Sequence, residues 1–241
     1  QAAQSVATIS DPHVMAVFAT HESDSVVCKF QEYCVGQTLP DHFPDGSHPS
    51  ATEIARIGWQ AASALAAAHQ QGVVHGGLTP ENITLENGLA RVKVAGFGWH
   101  KVLQSTTKSG GTGRSGEDFC APEVLQGRSP TSASDQFSLG SILHSLCTVH
   151  TPDWLASTIQ RMMSCDPKQR FPSIQAVAVA LSNGLTQGVA PPQSDPSMDA
   201  RIDLPVIVRL ETSTSRKPQI LWGIIVVTIV IVGLCLWYFP R

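Results

Sequence analysis

The chain has 241 residues, a formal net charge of −3 with its 9 histidines counted neutral, and 42% hydrophobic residues. That length suits one domain of ordinary size with an appendage, and so apolar a composition argues against an intrinsically disordered chain. The near-neutral charge gives no electrostatic reason for a nucleic-acid partner, and the 6 scattered cysteines, with no CxxC pair and no His/Cys cluster at zinc spacing, argue against a disulfide or metal framework.

Two β-prone runs, Val14 to Phe18 and Val26 to Phe30, flank the polar HESDS and predict a hairpin-like pair of strands. Ser50 followed by Glu53 forms a capping-box pattern, and Ile54, Ile57, Ala61, Leu65 and Ala68 recur at helical spacing until Gln70, Gln71 and Gly72. Short β-branched runs follow, VVH, ITLEN and ARVKVAGF, broken by Pro80 and Gly88, and then a Gly/Ser/Thr loop from Ser105 to Gly116. The remaining elements read as helices: Ser134 to Leu146, Pro152 to Met163 opened by Thr151-Pro152, and Pro172 to Leu181.

Between Asn183 and Pro218 lie Pro191, Pro192, Pro196 and Pro205 among Gly, Ser, Gln and Asp, a composition that reads as a linker. From Ile220 to Phe239 the chain then runs 20 residues without a charge. At 1.5 Å per residue such a helix spans roughly 30 Å of hydrocarbon, and the placement of Trp222, Trp237 and Tyr238 near its two ends suits the headgroup layers. Arg209, Arg216 and Lys217 precede the run and only Arg241 follows it, so the charge bias expects a single-pass membrane protein with the preceding domain on the cytoplasmic side. No basic segment followed by a short apolar run opens the chain, so no signal peptide is expected.

The segment VVHGGLTPENITLENGLARVKVAGFGWHK, Val73 to Lys101, resembles the catalytic loop and metal-binding loop of Ser/Thr protein kinases, which read H-R-D-L-K-P-E-N and then D-F-G. His75, Leu78, Pro80, Glu81 and Asn82 keep that pattern. Cys120-Ala121-Pro122-Glu123 is similar to the A-P-E element, SASDQFSLGSILHSL to the core helix that follows it, and CDPKQRFPS to the closing D-P-x-x-R-P. Upstream, DPHVMAV and FQEYCVGQTLPDHF resemble the strand after the regulatory helix and the hinge. The resemblance covers residues 10 to 182 and implies an α+β protein kinase-like fold, mainly the helical C-terminal lobe, with one C-terminal transmembrane helix. The expected organisation is a kinase-like domain over 1–182 with a partial N-terminal lobe, a juxtamembrane linker over 183–217, and a transmembrane helix with a short tail over 218–241.

The departures concern chemistry. Phosphoryl transfer depends on positioned magnesium ions, a residue that orients the attacking hydroxyl, and donors on the phosphates. The position of the family's catalytic Asp is Gly77, the Arg before it is Gly76, the phosphate-contacting Lys is Thr79, and the magnesium-binding Asp is Gly96. Of the metal set only Asn82 remains. No aspartate occurs from Gly46 to Glu117, and the nearby acids Glu81, Glu86 and Glu117 do not match the metal position. No Gly-rich loop and no Val-Ala-x-Lys lysine occurs in these residues, so the N-terminal lobe is expected to be largely missing.

The resemblance implies structural roles for what is kept. Glu123 and Arg170 match a buried ion pair, Asp135 an acid that accepts backbone hydrogen bonds from the catalytic loop, and His75 and Phe97 a stacked core spine. After Val149-His150 the chain enters the penultimate helix with no room for the family's intervening helix, which is expected to expose apolar surface around Leu143 and Leu146. The leading expectation is a membrane-anchored pseudokinase acting as a binding or signalling scaffold, without intact catalytic residues, cofactor or metal, whose partners are the bilayer and a cytoplasmic protein. The alternative is an atypical Ser/Thr kinase using ATP and magnesium, with Asn82 as a ligand; a decayed product with no stable fold is the third reading.

Overall fold

In the computed structural model, residues 9–23, 26–44, 46–98 and 116–188 are described. Strands β1, Val17–Ser23, and β2, Val26–Gln31, pair antiparallel. The chain then forms a short strand β3, Gly36–Thr38, and one helical turn α1, Leu39–His42. Neither β3 nor α1 is foreshadowed by the hydrophobic pattern. Strand β3 pairs with β4, Ile83–Glu86, and β4 pairs with β5, Arg91–Val94, to give a second antiparallel sheet in the order β3-β4-β5.

Helix α2, Ala51–Gln70, begins as its capping box dictates, with Glu53 N–H donating to Ser50 Oγ and Ser50 N–H donating to Glu53 Oε2 at 2.7 Å. Its apolar stripe of Ile54, Ile57, Ala61, Leu65 and Ala68 is no more than 1% exposed. Gln60 lies on the same buried side, where its amide satisfies the sheet: Val92 N–H donates to Gln60 Oε1 at 2.8 Å. This fixes α2 under β5 and sets the floor of the cleft.

The helical half follows, with α3, Pro122–Leu125, α4, Ser132–Leu146, α5, Asp153–Met162, and α6, Ile174–Gly188. Helix α2 packs chiefly on α6 and also on α4, and both crossings are close because Gly58 carries no side chain. A methyl built on Gly58 would lie 2.7 Å from Leu143 Cδ1 and 2.9 Å from Leu181 Cδ1. The expected apolar exposure around Leu143 and Leu146 is therefore corrected. Leu143 is fully buried at 0% exposure, and Leu146 packs against the core from its margin. What the short connection does leave in solvent is its own tip, Val149, at 95% exposure.

Helix α6 continues six residues past 182, the expected end of the domain, because its apolar spacing continues: Leu181 is buried, Leu185 packs on the core, and Trp154 lies against Gly184. Among the described residues no helix is long and apolar enough to cross a membrane. The uncharged run 220–239, the loop 105–115 and most of the linker lie outside the described residues.

Candidate functional site

The cleft floor is built from the connection between α2 and β4 and the turn after β5. Asp135, in the first turn of α4 and 1% exposed, receives three hydrogen bonds. His75 N–H donates to Oδ2 at 2.8 Å, Gly76 N–H to Oδ1 at 2.8 Å, and His69 Nε2 lies 2.7 Å from Oδ2. These donors satisfy both oxygens of the buried carboxylate, which stands at a helix N-terminus. His69, the histidine of α2, belongs to none of the sequence motifs, although its place next to the last residue of the helix puts it beside the loop.

His75 is 1% exposed, donates from Nε2 to Ala95 O at 2.8 Å, and packs on Phe97 with ring centroids 4.9 Å apart. This arrangement fixes the ring between two strands' ends and points no nitrogen at solvent. Below it, Arg170 and Glu123 form a double contact, NH1 to Oε1 at 2.8 Å and NH2 to Oε2 at 2.9 Å. Ser134 Oγ donates to the same carboxylate at 2.9 Å, and Arg170 also donates to Ala133 O and Ser164 O. Burial alone pushes the Glu123 carboxyl up, but the hydrogen bonds from Arg170, its own backbone N–H and Ser134, with the charge of Arg170, outweigh it and leave the group below the usual carboxylate range.

Above this frame the reactive positions carry no acid. Gly77 has no side chain, and Thr79 is turned inward: its N–H and Oγ1 both donate to Asn82 Oδ1, at 3.0 and 3.2 Å. Gly96 has φ of 90°, in the left-handed region, and a methyl built on it would lie 2.9 Å from Asn82 Nδ2. The amide of Asn82 thus closes the turn over Pro80–Asn82 and abuts the backbone of Gly96. Glu81 and Glu117 are exposed, and Glu86 faces Arg91 at 3.6 Å and the Cys34 thiol. Among the described residues no three His, Cys, Asp or Glu side chains gather where a metal ion could be held. The positions that the sequence motifs assign to magnesium do not, among the described residues, fit it: a hard cation takes several oxygen ligands, and the one oxygen there, Asn82 Oδ1, already accepts from Thr79. The space beside Gly76 and Gly77 is a small cleft of about 30 Å³, also lined by Phe119, Cys120 and Asp135, with room for about one water.

This order of elements, a His-containing loop anchored on a helix-borne Asp, a Gly-Phe-Gly turn after a strand pair and a Glu–Arg tie below, is matched along residues 2–188 by the protein kinase domain. The chain belongs to the protein kinase family. Among its kinase relatives are the serine/threonine-protein kinase PrkC of Bacillus subtilis (strain 168), 30% identical over 151 residues, and the probable serine/threonine-protein kinase pknA2 of Bifidobacterium longum (strain NCC 2705), also 30% identical over 151 residues. Each alignment covers 62% of this chain but only 23% and 20% of those relatives, so the chain spans about a fifth of their length. The crystal structure of the Mycobacterium tuberculosis PknI kinase domain shares the kinase fold at a TM-score of 0.59 and 22% identity, over 75% of this chain and 74% of that one.

Proposed function

We propose that this kinase-family chain does not transfer phosphate and works by binding, as a scaffold held to a membrane by residues 220–239 with its domain on the cytoplasmic side. The observation that carries the proposal is the pair of glycines at the cleft: Gly77 stands where a general base is needed and Gly96 where a metal carboxylate is needed. Losing general-base help costs about 10²- to 10⁴-fold by itself. The retained side chains, His75, Phe97, Asp135, Glu123 and Arg170, are satisfied by contacts inside the domain and support a folded lobe. The membrane tether rests on the 20 uncharged residues and the flanking basic residues, and the protein partner is a cytoplasmic one.

A second reading has a specific observation in its favour: the relatives are serine/threonine-protein kinases by name. On that reading the chain transfers the ATP γ-phosphate to protein Ser/Thr, with part of the machinery supplied by other segments of a longer protein. Thermal shift of the full chain in detergent micelles, with ATP plus magnesium and with ATP plus EDTA, separates the two. Under the scaffold reading unfolding is cooperative and neither condition raises the midpoint. A magnesium-dependent rise, followed by phosphate incorporation into a generic protein substrate, overturns it in favour of the enzyme.

A further inference from the structure

The segment from Glu32 to Val35 joins the β1–β2 hairpin to the sheet β3-β4-β5, and its side chains alternate. Tyr33 and Val35 are 50% and 57% exposed, while Glu32 and Cys34 turn inward. There Glu32 meets Lys93, the single charged residue in the buried stretch Val92–Val94 of β5. Lys93 Nζ lies 2.8 Å from Glu32 Oε1 and 2.9 Å from Oε2, and its side chain is 6% exposed against 31% for Glu32. A lysine this buried needs compensation for its charge, and Glu32 supplies it.

Glu32 is itself fastened twice more. Ala16 N–H donates to Oε2 at 3.1 Å, and Glu32 N–H donates to Ala16 O at 2.8 Å. The stretch before β1 is in turn bound to β5: Met15 N–H donates to Val94 O at 2.9 Å, Val94 N–H to His13 O at 2.8 Å, and His13 Nδ1–H to Val92 O at 2.9 Å. Glu32 therefore joins both sides: its carboxylate holds Lys93 of β5 and the Ala16 N–H, and its own N–H holds Ala16 O. Cys34, two residues on, faces Glu86 of β4 instead, and its thiol is pushed up to about 12, by burial first and then by the charge of Glu86. A thiol so disposed keeps its proton and remains a donor.

We propose that the Lys93–Glu32 pair is a clamp that fixes the β1–β2 hairpin to the sheet β3-β4-β5, so that the connection at 32–35 does not act as a hinge and the two sheets move as one piece. Domain closure elsewhere relies on a few connecting residues absorbing backbone rotation, and here those residues are tied from behind. The consequence is a surface of constant geometry across both sheets. This inference does not rest on the scaffold reading, since the clamp concerns motion and not phosphate.

Hydrogen-exchange mass spectrometry on the full chain in micelles, without nucleotide, tests it with E32Q, K93M and the charge swap E32K/K93E. The clamp predicts that E32Q, which strands the buried Lys93 charge, speeds exchange across residues 13–31 about tenfold while 153–181 is unchanged. K93M leaves a half-exposed carboxylate that still accepts from Ala16, so its effect is in the same segment and smaller, and the swap restores part of the protection. Unchanged exchange across 13–31 in both single variants overturns the clamp, as does acceleration spread evenly over the domain, which marks a pair that supports overall stability alone. The two single variants perturb the domain unequally, so one of them reports if the other fails to fold.

Discussion

Replacing Glu123 by Gln removes one charge from a pair whose other member has nowhere to go. Arg170 has a side-chain exposure of 0%, and three of its nitrogens are committed to Glu123, Ala133 O and Ser164 O. The amide keeps the shape, and its oxygen still accepts from Ser134, so the loss is electrostatic: a guanidinium buried without its counter-charge. Breaking one side of such a pair costs about 3–5 kcal/mol, and for a domain of this size that is a fall in Tm of about 6–20 °C. The double replacement Glu123→Leu/Arg170→Met removes both charges and is expected to recover a good part of that loss, since a well-packed apolar substitute for a buried pair is often neutral. The pH dependence gives the sign. The carboxyl lies below its usual 4.5 in the folded chain, so its contribution is complete above that value and is lost as pH falls through the lower folded one. Thermal melts of the full chain from pH 7 to pH 3 should show this acid-dependent component in wild type and not in E123Q. A fall of less than about 1 kcal/mol for E123Q, or a double variant as unstable as the sum of the singles, refutes the account of an uncompensated buried charge.

Two further expectations concern packing and reactivity. At Gly184 a methyl would run into ring carbons Cζ3, Cε3 and Cη2 of Trp154. Alanine gains about 1 kcal/mol of helix propensity there, but the rigid indole has to move and overpacking costs about 1–3 kcal/mol, so Gly184→Ala is expected to lower the urea midpoint; a raised midpoint refutes the contact. Cys34, with its thiol at about 12, is expected to resist iodoacetamide at pH 8.5 while the exposed Cys165 is alkylated, read by peptide mass spectrometry. Equal labelling of the two in the folded chain would contradict the burial of Cys34.

The parts of the fold legible in the sequence are those fixed by local chemistry. The Ser50–Glu53 capping box marks the first residue of α2, and the stripe from Ile54 to Ala68 is its buried face. The ordered motifs at His75, Gly96, Glu123 and Arg170 likewise fall on one connected frame. The hydrophobic pattern misplaces the start of the first strand because Val14 is β-prone but pairs in parallel with Val94, far along the chain, while β1 itself begins at Val17. Leu143 reads as exposed because a helix missing from the chain implies a gap beside it. That gap is closed from within the domain: Gly58 lets α2 approach until Leu143 and Leu181 meet over it. The burial of Leu143 thus depends on a small residue in another helix, which no local pattern announces.

Lys93 shows the same limit for a charged residue. It sits in the strand run ARVKVAGF, and a polar residue of such a strand ordinarily faces water. Lys93 is buried instead because the β1–β2 hairpin carries Glu32 over that face, leaving the lysine side chain at 6% exposure. The same logic separates the two halves of the cleft. The buried charged side chains, Asp135, Glu123, Arg170 and Lys93, are engaged by partners that hold the domain together, Glu32 among them. Where a charge would have to face a substrate, at 77 and 96, the chain has glycine. Beside Gly96 the nearest side chains are Asn82 and His75, neither of them an acid. On the scaffold reading proposed above, the residues that hold the fold and those that would do chemistry part along this line, and Asn82 stands at the border, its amide bonded to Thr79 and its edge against Gly96.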